Sequence, residues 1–301
     1  KIKNDQNEII ISTIEHHAII HPAEQMKELG YSVFYCPINK KGFVETDSLT
    51  KLITKKTKFI SVMYANNEIG TIQRIKKLVE MTRKKEKEFG TEIIFHTDAV
   101  QAIGKIQIDV KDLGVDALSI SAHKFSGPKG IGALFLKDKH TINPLIDGGG
   151  QERQNRSGTE NVPNIVGFGK AIELAEKNRL KFCEHTLSLK MEFINQIKKD
   201  FQEIIFHTEI EESLPNIINF SIPNIHGEPI LIALDFKQIM ASSGSACSTA
   251  STEPSHVLLA KGIDEQTALG SIRISLGINN TFEEIKYINK SIIEVINDLK
   301  S

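Results

Sequence analysis

Ser119-Ile-Ser-Ala-His-Lys-Phe-Ser-Gly-Pro-Lys-Gly-Ile-Gly132 is the stretch on which the predicted fold and chemistry of this chain depend. Alternating apolar and small polar residues before Lys124 indicate a strand, and the glycines and proline after it predict a tight turn into a second strand at 131–136. A lysine held on such a turn and partly removed from water has a lowered pKa, which lets its amine form a Schiff base. Taken alone, the stretch fits a surface lysine in a hairpin equally well.

Around this stretch, strand-like apolar runs alternate with segments of helical spacing. Strands are expected at 9–13, 31–37, 58–64 and 92–98, and the order predicts an α/β fold with a mostly parallel sheet covered by helices. The intervening helices are expected to begin near Pro22, at a cap formed by Asp47 or Ser48, at Ile75 and at Val110.

The alternation becomes irregular after about residue 180, which indicates a smaller α+β domain. The predicted domains are therefore 1–180 and 181–301. Thr281 and Glu284 form a capping box, which predicts the start of a final amphipathic helix.

Polar residues follow three successive predicted strands: Asn67, Asp98 and Lys124. Because the carboxyl ends of parallel strands meet at one edge of a sheet, we expect these side chains to converge there. Asp98 could pair with the protonated ring nitrogen of a cofactor, and Gln101 could reach the same ligand if a helix starts there. Each residue by itself also fits an ordinary turn or cap.

Two arginine-containing segments have a binding and a neutral interpretation. The segment 148–159 is rich in glycine, contains Arg153 and Arg156, and precedes a helix start with Asn161 as cap, which fits either a phosphate-contacting loop or a solvated linker. Arg273 alternates with isoleucines on a predicted strand, which fits either a clamp on a substrate carboxylate or a solvent-facing arginine.

Three cysteines, Cys36, Cys183 and Cys247, lie far apart, so neither a disulfide framework nor a thiolate zinc site is predicted. Cys247 lies in a run of small residues at 242–251 that should be mobile and exposed. This favours a reactive thiolate that moves with its loop. His17 and His21 have the spacing of a two-histidine metal face, but no carboxylate ligand lies nearby, and no metal is expected.

The overall charge argues against several classes of partner. The chain of 301 residues has 37 Lys plus Arg and 38 Asp plus Glu, so no global field attracts nucleic acid or an anionic membrane. No membrane-spanning run or signal-peptide pattern is seen, and a cytoplasmic location is expected. The chain starts at Lys1 and enters a strand almost at once, so we expect it to be a piece of something longer.

Ordered motifs along essentially the whole chain are similar to those of one enzyme family. The stretches are Glu15-His16, Asn66-Asn-Glu-Ile-Gly70, His96-Thr-Asp-Ala-Val-Gln101, Ser121-Ala-His-Lys-Phe-Ser-Gly-Pro-Lys-Gly-Ile-Gly132, Gly148-Gly-Gly-Gln-Glu-Arg153, Arg156-Ser-Gly-Thr159, Ser242-Ser-Gly-Ser-Ala-Cys247 and Ser271-Ile-Arg-Ile-Ser-Leu-Gly277. The chain resembles the cysteine desulfurases of the NifS/IscS type, pyridoxal-phosphate-dependent transferases of fold type I in the class V aminotransferase family. Its long cysteine-bearing segment resembles that of the group I branch.

The resemblance implies a role for each matching residue. For the cofactor, it implies that Lys124 forms the Schiff base, His16 stacks on the ring, Asp98 pairs with the ring nitrogen and Gln101 contacts the phenolic oxygen. Ser121 and His123 would bind the cofactor's phosphate, and Thr159 would reach the phosphate of the partner subunit in a homodimer. For the substrate, Asn67 and Arg273 would bind the carboxylate, and Cys247 would be the nucleophile. The implied reaction converts L-cysteine to L-alanine and leaves a persulfide on the enzyme. That sulfur would serve iron–sulfur cluster assembly or tRNA thiolation through an acceptor protein such as an IscU- or NifU-like scaffold.

Departures from the family pattern keep other hypotheses open. The family's first segment, which has an Ala-Thr-Glu-Ser-Asn-like phosphate loop, is absent before Lys1, and the segment from Lys84 to Glu92 looks longer than in relatives. Selenocysteine lyase or aminotransferase activity is one alternative, although a transaminase has no use for Cys247. A truncated, non-catalytic subunit that pairs with a full-length partner is another.

Overall fold

A computed structural model describes residues 6–137, 142–244 and 253–300. By their internal contacts the residues form two compact units. The first consists of Lys1–Cys36, Glu45–Tyr64 and Arg74–Arg179, and the second of Pro37–Val44, Ala65–Gln73 and Leu180–Ser301. Two short segments of the first half of the chain therefore pack with its second half.

The first unit alternates strands and helices. Its elements are β1 (Glu8–Ser12), α1 (His17–Glu28), β2 (Ser32–Cys36), α2 (Thr46–Leu52), β3 (Thr57–Ser61), α3 (Ile75–Phe89), β4 (Ile94–Asp98), α4 (Val110–Leu113), β5 (Ala117–Ser121), β6 (Gly132–Leu136) and α5 (Val162–Lys177). Short 3-10 helices lie at Ala122–Phe125 and Gln151–Gln154.

Six strands form one mixed sheet in the order β2-β1-β3-β4-β5-β6. The first five run parallel, and β6 returns antiparallel to β5. All five residues of β1 are buried, as expected for an interior strand of a sheet covered by helices. Ile9 and Ile11 form a small core with Ala23 of α1. The predicted mostly parallel α/β sheet is confirmed, and the parallel strands end on one edge of it.

Two helix starts differ from the sequence-based expectation. Helix α1 begins at His17 instead of near Pro22, because the His16 side chain caps it by accepting a hydrogen bond from the Ala18 N–H. Helix α2 begins at Thr46 after Glu45, which makes no side-chain capping bond, so the expected caps at Asp47 and Ser48 are wrong. In contrast, α3 ends at Gly90 in the left-handed conformation, as the sequence indicates.

The second unit has a three-stranded antiparallel sheet in the order β7-β8-β9. Its elements are α6 (Arg179–Asp200), β7 (Ile205–Phe206), β8 (Ile217–Ser221), α7 (Gly227–Phe236), α8 (His256–Ala260), α9 (Glu265–Leu269), β9 (Ser271–Ser275) and α10 (Phe282–Lys300). One face of β8, with Ile218 and Phe220, packs on Phe193 of α6 and Ile292 of α10 in the main core.

The start of α10 confirms the predicted capping box. The Thr281 N–H donates to Glu284 Oε2 at 2.9 Å, and the Glu284 N–H donates to Thr281 Oγ1 at 3.2 Å. Strand β7 and helix α9 were not predicted, since each is too short to show a hydrophobic period. Across the described ranges, none of the helices combines the length and the apolar character that crossing a bilayer requires.

Candidate active site

Lys124 lies in the short 3-10 helix that follows β5, inside a tightly closed turn. The Ala122 N–H donates to Ile131 O at 3.1 Å, and the Gly127 N–H donates to Ala122 O at 2.9 Å. A Cβ atom on Gly132 would lie 2.6 Å from Ile120 O, so only glycine allows β6 to return this close to β5. The expected strand, turn and strand are therefore present. Lys124 itself is exposed, not partly buried as expected, because the 3-10 helix carries it beyond the strand end.

Asp98 is the last residue of β4 and is 8% exposed. Its Oδ1 accepts a hydrogen bond from the Val100 N–H at 2.9 Å, and among the described residues no donor reaches its other oxygen. Burial raises the pKa of Asp98, while the Val100 hydrogen bond and the positive charge of Lys124 oppose that rise. A buried carboxyl group with an unused oxygen suits a cationic N–H group of a ligand.

His16 precedes α1 and is oriented by its capping bond, in which Nδ1 accepts from the Ala18 N–H at 3.1 Å. Burial lowers the pKa of His16, and the positive charges of His17, Lys124 and His21 lower it further. The ring is therefore neutral near pH 7. Lys124 acts electrostatically on both Asp98 and His16, so the structure brings these three predicted site residues together at one edge of the large sheet.

Ser121 and His123 lie on either side of the strand end, with Ser121 Oγ 3.0 Å from His123 Nδ1. Partial burial lowers the pKa of His123, and the charges of Lys124 and Lys129 add to that effect. A neutral imidazole and a hydroxyl group can both donate hydrogen bonds to an anion.

Gln101 and Thr159 lie in turns and loops outside the regular helices and strands. Gln101 lies in successive turns without a regular helix, so the helix suggested for it is absent, and its side-chain oxygen is 3.5 Å from Lys105 Nζ. Thr159 is exposed in the loop before α5, whose predicted cap is present: the Asn164 N–H donates to Asn161 Oδ1 at 3.4 Å.

Asn67 and Arg273 belong to the second unit and are in contact there. Arg273 Nη1 donates to the main-chain oxygen of Asn67 at 2.9 Å. The Arg273 main chain also pairs with Ser242, with N–H to oxygen distances of 2.6 and 3.1 Å. Cys247, the predicted nucleophile, lies outside the described residues.

Sequence reasoning gave no role to Glu15, which the structure shows to be a fully buried carboxyl group. Its Oε1 accepts from Ser12 Oγ at 2.5 Å and from the Met63 N–H at 2.7 Å, so it connects the ends of β1 and β3. Complete burial raises the pKa of Glu15 to about 8 against the effect of these hydrogen bonds, and the nearby charge of Asp98 adds to the rise. The signal in the sequence is an acid three residues after a strand with an apolar centre, Ile9 to Ile11, where a charged side chain is not expected.

The rings of His17 and His21 are neighbours, with centroids 4.9 Å apart and planes tilted by 39°. In the described part of the chain, no group of three His, Cys, Asp or Glu side chains is placed to hold a metal ion.

The side chains at this edge fit pyridoxal phosphate. An amine is present for its carbonyl group, a buried carboxyl group with an unused oxygen for its ring nitrogen, a neutral imidazole for its ring face, and a hydroxyl and a second imidazole for its phosphate. Such a set on a mostly parallel α/β sheet defines the class of fold type I pyridoxal-phosphate enzymes.

Comparisons with known proteins agree with this class. The chain matches the family described as aminotransferase class-V over residues 2–288. It is 47% identical to the cysteine desulfurase IscS of Clostridium botulinum over 296 residues, which are 98% of this chain and 73% of that protein. It is 45% identical to the cysteine desulfurase IscS of Dictyoglomus turgidum over 293 residues, which are 97% of this chain and 73% of that protein.

The solved structure of a NifS-like protein superposes with a TM-score of 0.89 at 39% identity, covering 97% of this chain and 75% of that one. The chain therefore belongs to the class V aminotransferase family and is similar, within it, to cysteine desulfurases of the NifS/IscS type. Its cofactor is pyridoxal 5'-phosphate, as in that family. It spans about three quarters of the length of these relatives.

Proposed function

We propose that this chain is a cysteine desulfurase, which converts L-cysteine to L-alanine and leaves a persulfide on Cys247. The observation that carries the proposal is the electrostatic grouping of Lys124, Asp98 and His16 at one edge of the sheet, in a chain that is 47% identical to a named cysteine desulfurase.

When bound, pyridoxal phosphate supplies an electron-poor ring that takes up negative charge from the substrate's α-carbon. Asp98 keeps the ring nitrogen protonated through its unused oxygen, which maintains that electron demand. Lys124 Nζ would hold the carbonyl carbon of the cofactor, and its amine, when it is not so bound, would take the α-proton of the substrate. The neutral ring of His16 covers one face of the site and adds no charge there.

The binding of anionic groups is assigned to two sets of side chains. Ser121 and His123 hold the cofactor's phosphate as hydrogen-bond donors, with Gln101 on the phenolic oxygen. Arg273 and Asn67, which are already in contact with each other, bind the carboxylate of the substrate.

The sulfur-transfer step balances without an added oxidant. The Cys247 thiolate attacks the sulfur of the substrate, the substrate's C–S bond breaks and an S–S bond forms. The electron pair of the broken bond goes to the β-carbon, which gains the proton that Cys247 gave up on becoming a thiolate. The substrate therefore leaves as alanine, and its thiol proton stays on the outer sulfur of the persulfide. Because Cys247 must be a free thiol before each turnover, the reaction suits a reducing compartment such as the cytoplasm.

A homodimer is part of this proposal, and helix α5 supports it. None of the 16 residues of α5, all of them described, is buried, although Val162, Ile165, Val166 and Leu174 are large and apolar. An apolar helix face of this kind is typical of a surface that another chain covers. In a homodimer Thr159, which lies just before this helix, reaches the phosphate site of the partner.

We also infer that a protein accepts the sulfur, as an iron–sulfur scaffold of the IscU or NifU type or a tRNA-thiolation protein would. Exposed apolar side chains support this inference at the end of α7: Phe236 is 86% exposed and Met240 is 89% exposed. Met240 is two residues before Ser242, where the cysteine-bearing segment begins, so an acceptor bound there would be close to the persulfide along the chain.

The proposal is tested by measuring alanine and sulfide from cysteine in the presence of a reductant. Wild type should release the two in equal amounts. Cys247→Ala should keep cofactor absorbance but release no sulfide, and Lys124→Ala should lose both the activity and the cofactor's lysine-bound absorbance. Unchanged sulfide release by Cys247→Ala would show that the persulfide mechanism is wrong.

A further inference from the structure

Glu68 is a buried carboxyl group to which the reaction described above gives no role. It is 3% exposed and lies in the segment Ala65–Gln73, which packs with the second unit. Its main chain is fixed independently of its side chain, because the Glu68 and Ile69 N–H groups donate to Asn66 Oδ1 at 2.8 and 2.9 Å. The hydrogen-bonded turn therefore sets the position from which the carboxyl group extends.

One oxygen of Glu68 faces both ends of the segment that carries Cys247. Ser255 Oγ donates to Glu68 Oε2 at 2.5 Å, and the same hydroxyl accepts from the Leu258 N–H at 3.3 Å as the cap of α8. At the other end, a Cβ atom on Gly244 would lie 2.8 Å from Glu68 Oε2 and 3.1 Å from Ser255 Cβ, so the main chain passes close to the carboxyl group here. Residues 245–254 lie between these two ends.

Glu68 also acts on the arginine that we assign to the substrate carboxylate. Burial raises the pKa of Glu68 to about 7, while the positive charge of Arg273 and the Ser255 hydrogen bond oppose the rise. The Arg273 main chain pairs with Ser242, two residues before Gly244. The carboxyl group thus bonds Ser255 at one end of the cysteine-bearing segment, lies beside Gly244 at the other end and acts electrostatically on Arg273.

We propose that Glu68 is a positioning residue for sulfur transfer: it fixes Ser255 at one end of the segment 245–254, lies beside Gly244 at the other end, and is the resident counter-ion of Arg273. The inference rests on the desulfurase function proposed above. It predicts two separable effects, one through the hydrogen bond at Ser255 and one through the charge at Arg273.

The first effect is tested on the protein without cofactor, so that its outcome does not depend on desulfurase activity. Glu68→Ala should raise the rate at which iodoacetamide alkylates Cys247, and the rate of hydrogen exchange in 245–254, on the order of tenfold, the factor expected when a buried hydrogen bond to a carboxylate is lost. Ser255→Ala should reproduce the increase, and the double variant should add little to it, because both changes remove the same bond.

The second effect is tested on the loaded enzyme. Glu68→Gln keeps the size of the side chain and a group that can bond Ser255, so it should leave the alkylation rate near that of wild type and change KM for cysteine through Arg273. Glu68→Ala should lower kcat for sulfide release as well. The matched control is Glu253→Ala, because Glu253 is an exposed acid two residues before Ser255; it should change none of these quantities.

Wild-type alkylation and exchange rates in both Glu68→Ala and Ser255→Ala would overturn the inference even if the chain proves to be a desulfurase. Ser255→Ala, which removes a single hydroxyl group, keeps the test valid if Glu68→Ala fails to fold. Conversely, altered rates in a chain that releases no sulfide would contradict the proposed function and leave the role of Glu68 in positioning the segment standing.

Discussion

Glu15 is a carboxylic acid that the fold keeps out of water at the end of β1. Its hydrogen bonds from Ser12, Ser61 and the Met63 N–H each favour the ionised form. Burial is the larger effect, and the negative charge of Asp98 acts in the same direction, so the pKa rises to about 8. Glu15 is therefore neutral at pH 7, which leaves Asp98 as the carboxyl group that we propose for the ring nitrogen of the cofactor.

The protonated state of Glu15 predicts a pH dependence of stability. Between pH 4.5 and about 8 the folded state holds a proton on Glu15 that the unfolded chain has lost, so the free energy of unfolding falls as pH rises through this range. The slope is about 1.4 kcal/mol per pH unit for one fully linked proton. Glu15→Gln removes it, so the variant should gain stability relative to wild type at each step from pH 5.5 to 7.5.

Urea unfolding of the two proteins without cofactor, at several pH values, measures this difference. Burial also lowers the pKa of His96 to about 4, so His96 makes the free energy of unfolding fall as the pH falls. This contribution is the same in wild type and Glu15→Gln, and subtracting one free energy of unfolding from the other cancels it. A difference that does not change with pH would show that Glu15 is ionised in the folded protein.

Asp98→Asn separates the binding role of this carboxyl group from its cost to stability. Because burial raises the pKa of Asp98, removing the charge should leave the protein without cofactor as stable as wild type at pH 7 or more stable. Affinity for pyridoxal phosphate should fall about tenfold to a thousandfold, the range of one to three pKa units that a close opposite charge supplies. Absorbance titration and thermal unfolding measure the two effects, and unchanged affinity would contradict the assignment.

At this scale the sequence identified the residues whose type and position are both informative. Lys124 and Asp98 follow strand-like runs, and in parallel sheets such positions line the ligand edge. Glu15 and Glu68 were missed because their importance comes from burial, which depends on strands distant in sequence. The prediction that Lys124 is partly buried was wrong for a related reason: a 3-10 helix of four residues leaves no periodic signal in the sequence.

At the scale of elements, strands and long helices were predictable because their apolar period is clear. Helices α3 and α10 begin within a residue of the expected position. The start of α1 was not predictable, because its cap is a histidine, which is uncommon as a cap. The two-residue strand β7 is stabilised by its partner β8 and not by its own sequence.

Helix α5 carries a prediction about assembly. Val166 is 66% exposed and belongs to the apolar face that we assign to the dimer. Val166→Lys places a charge in that interface and should raise the dimer dissociation constant at least about a hundredfold, because burying an unpaired charge costs several kcal/mol. Helical content should not change, since no residue of this fully described helix is buried within the chain.

Sedimentation equilibrium over a range of protein concentrations measures the dissociation constant. Lys177→Ala, at an exposed position at the end of the same helix, is the matched control and should behave as wild type. An unchanged association state in Val166→Lys would show that the dimer surface does not include this face of α5.

For the whole molecule, composition and the order of elements were sufficient to predict the fold class, which the NifS-like structure at a TM-score of 0.89 confirms. The sequence could not show that Pro37–Val44 and Ala65–Gln73 pack with the second unit. Each segment follows a parallel strand of the first unit, β2 or β3, within four residues of its end. Tertiary contacts, which the local sequence does not show, decide the unit with which such a connection packs. That assignment matters for function, because it puts Asn67 and Glu68 in the same unit as Arg273.

The account as a whole depends on Lys124 being the amine that binds the aldehyde cofactor. The direct measurement is to load the protein with pyridoxal phosphate, reduce it with borohydride and map the covalently attached phosphopyridoxyl group by peptide mass spectrometry. The account predicts one labelled peptide, with the added mass on Lys124, and no label in Lys124→Ala. A label on another lysine, or a Lys124→Ala variant labelled like wild type, would contradict it.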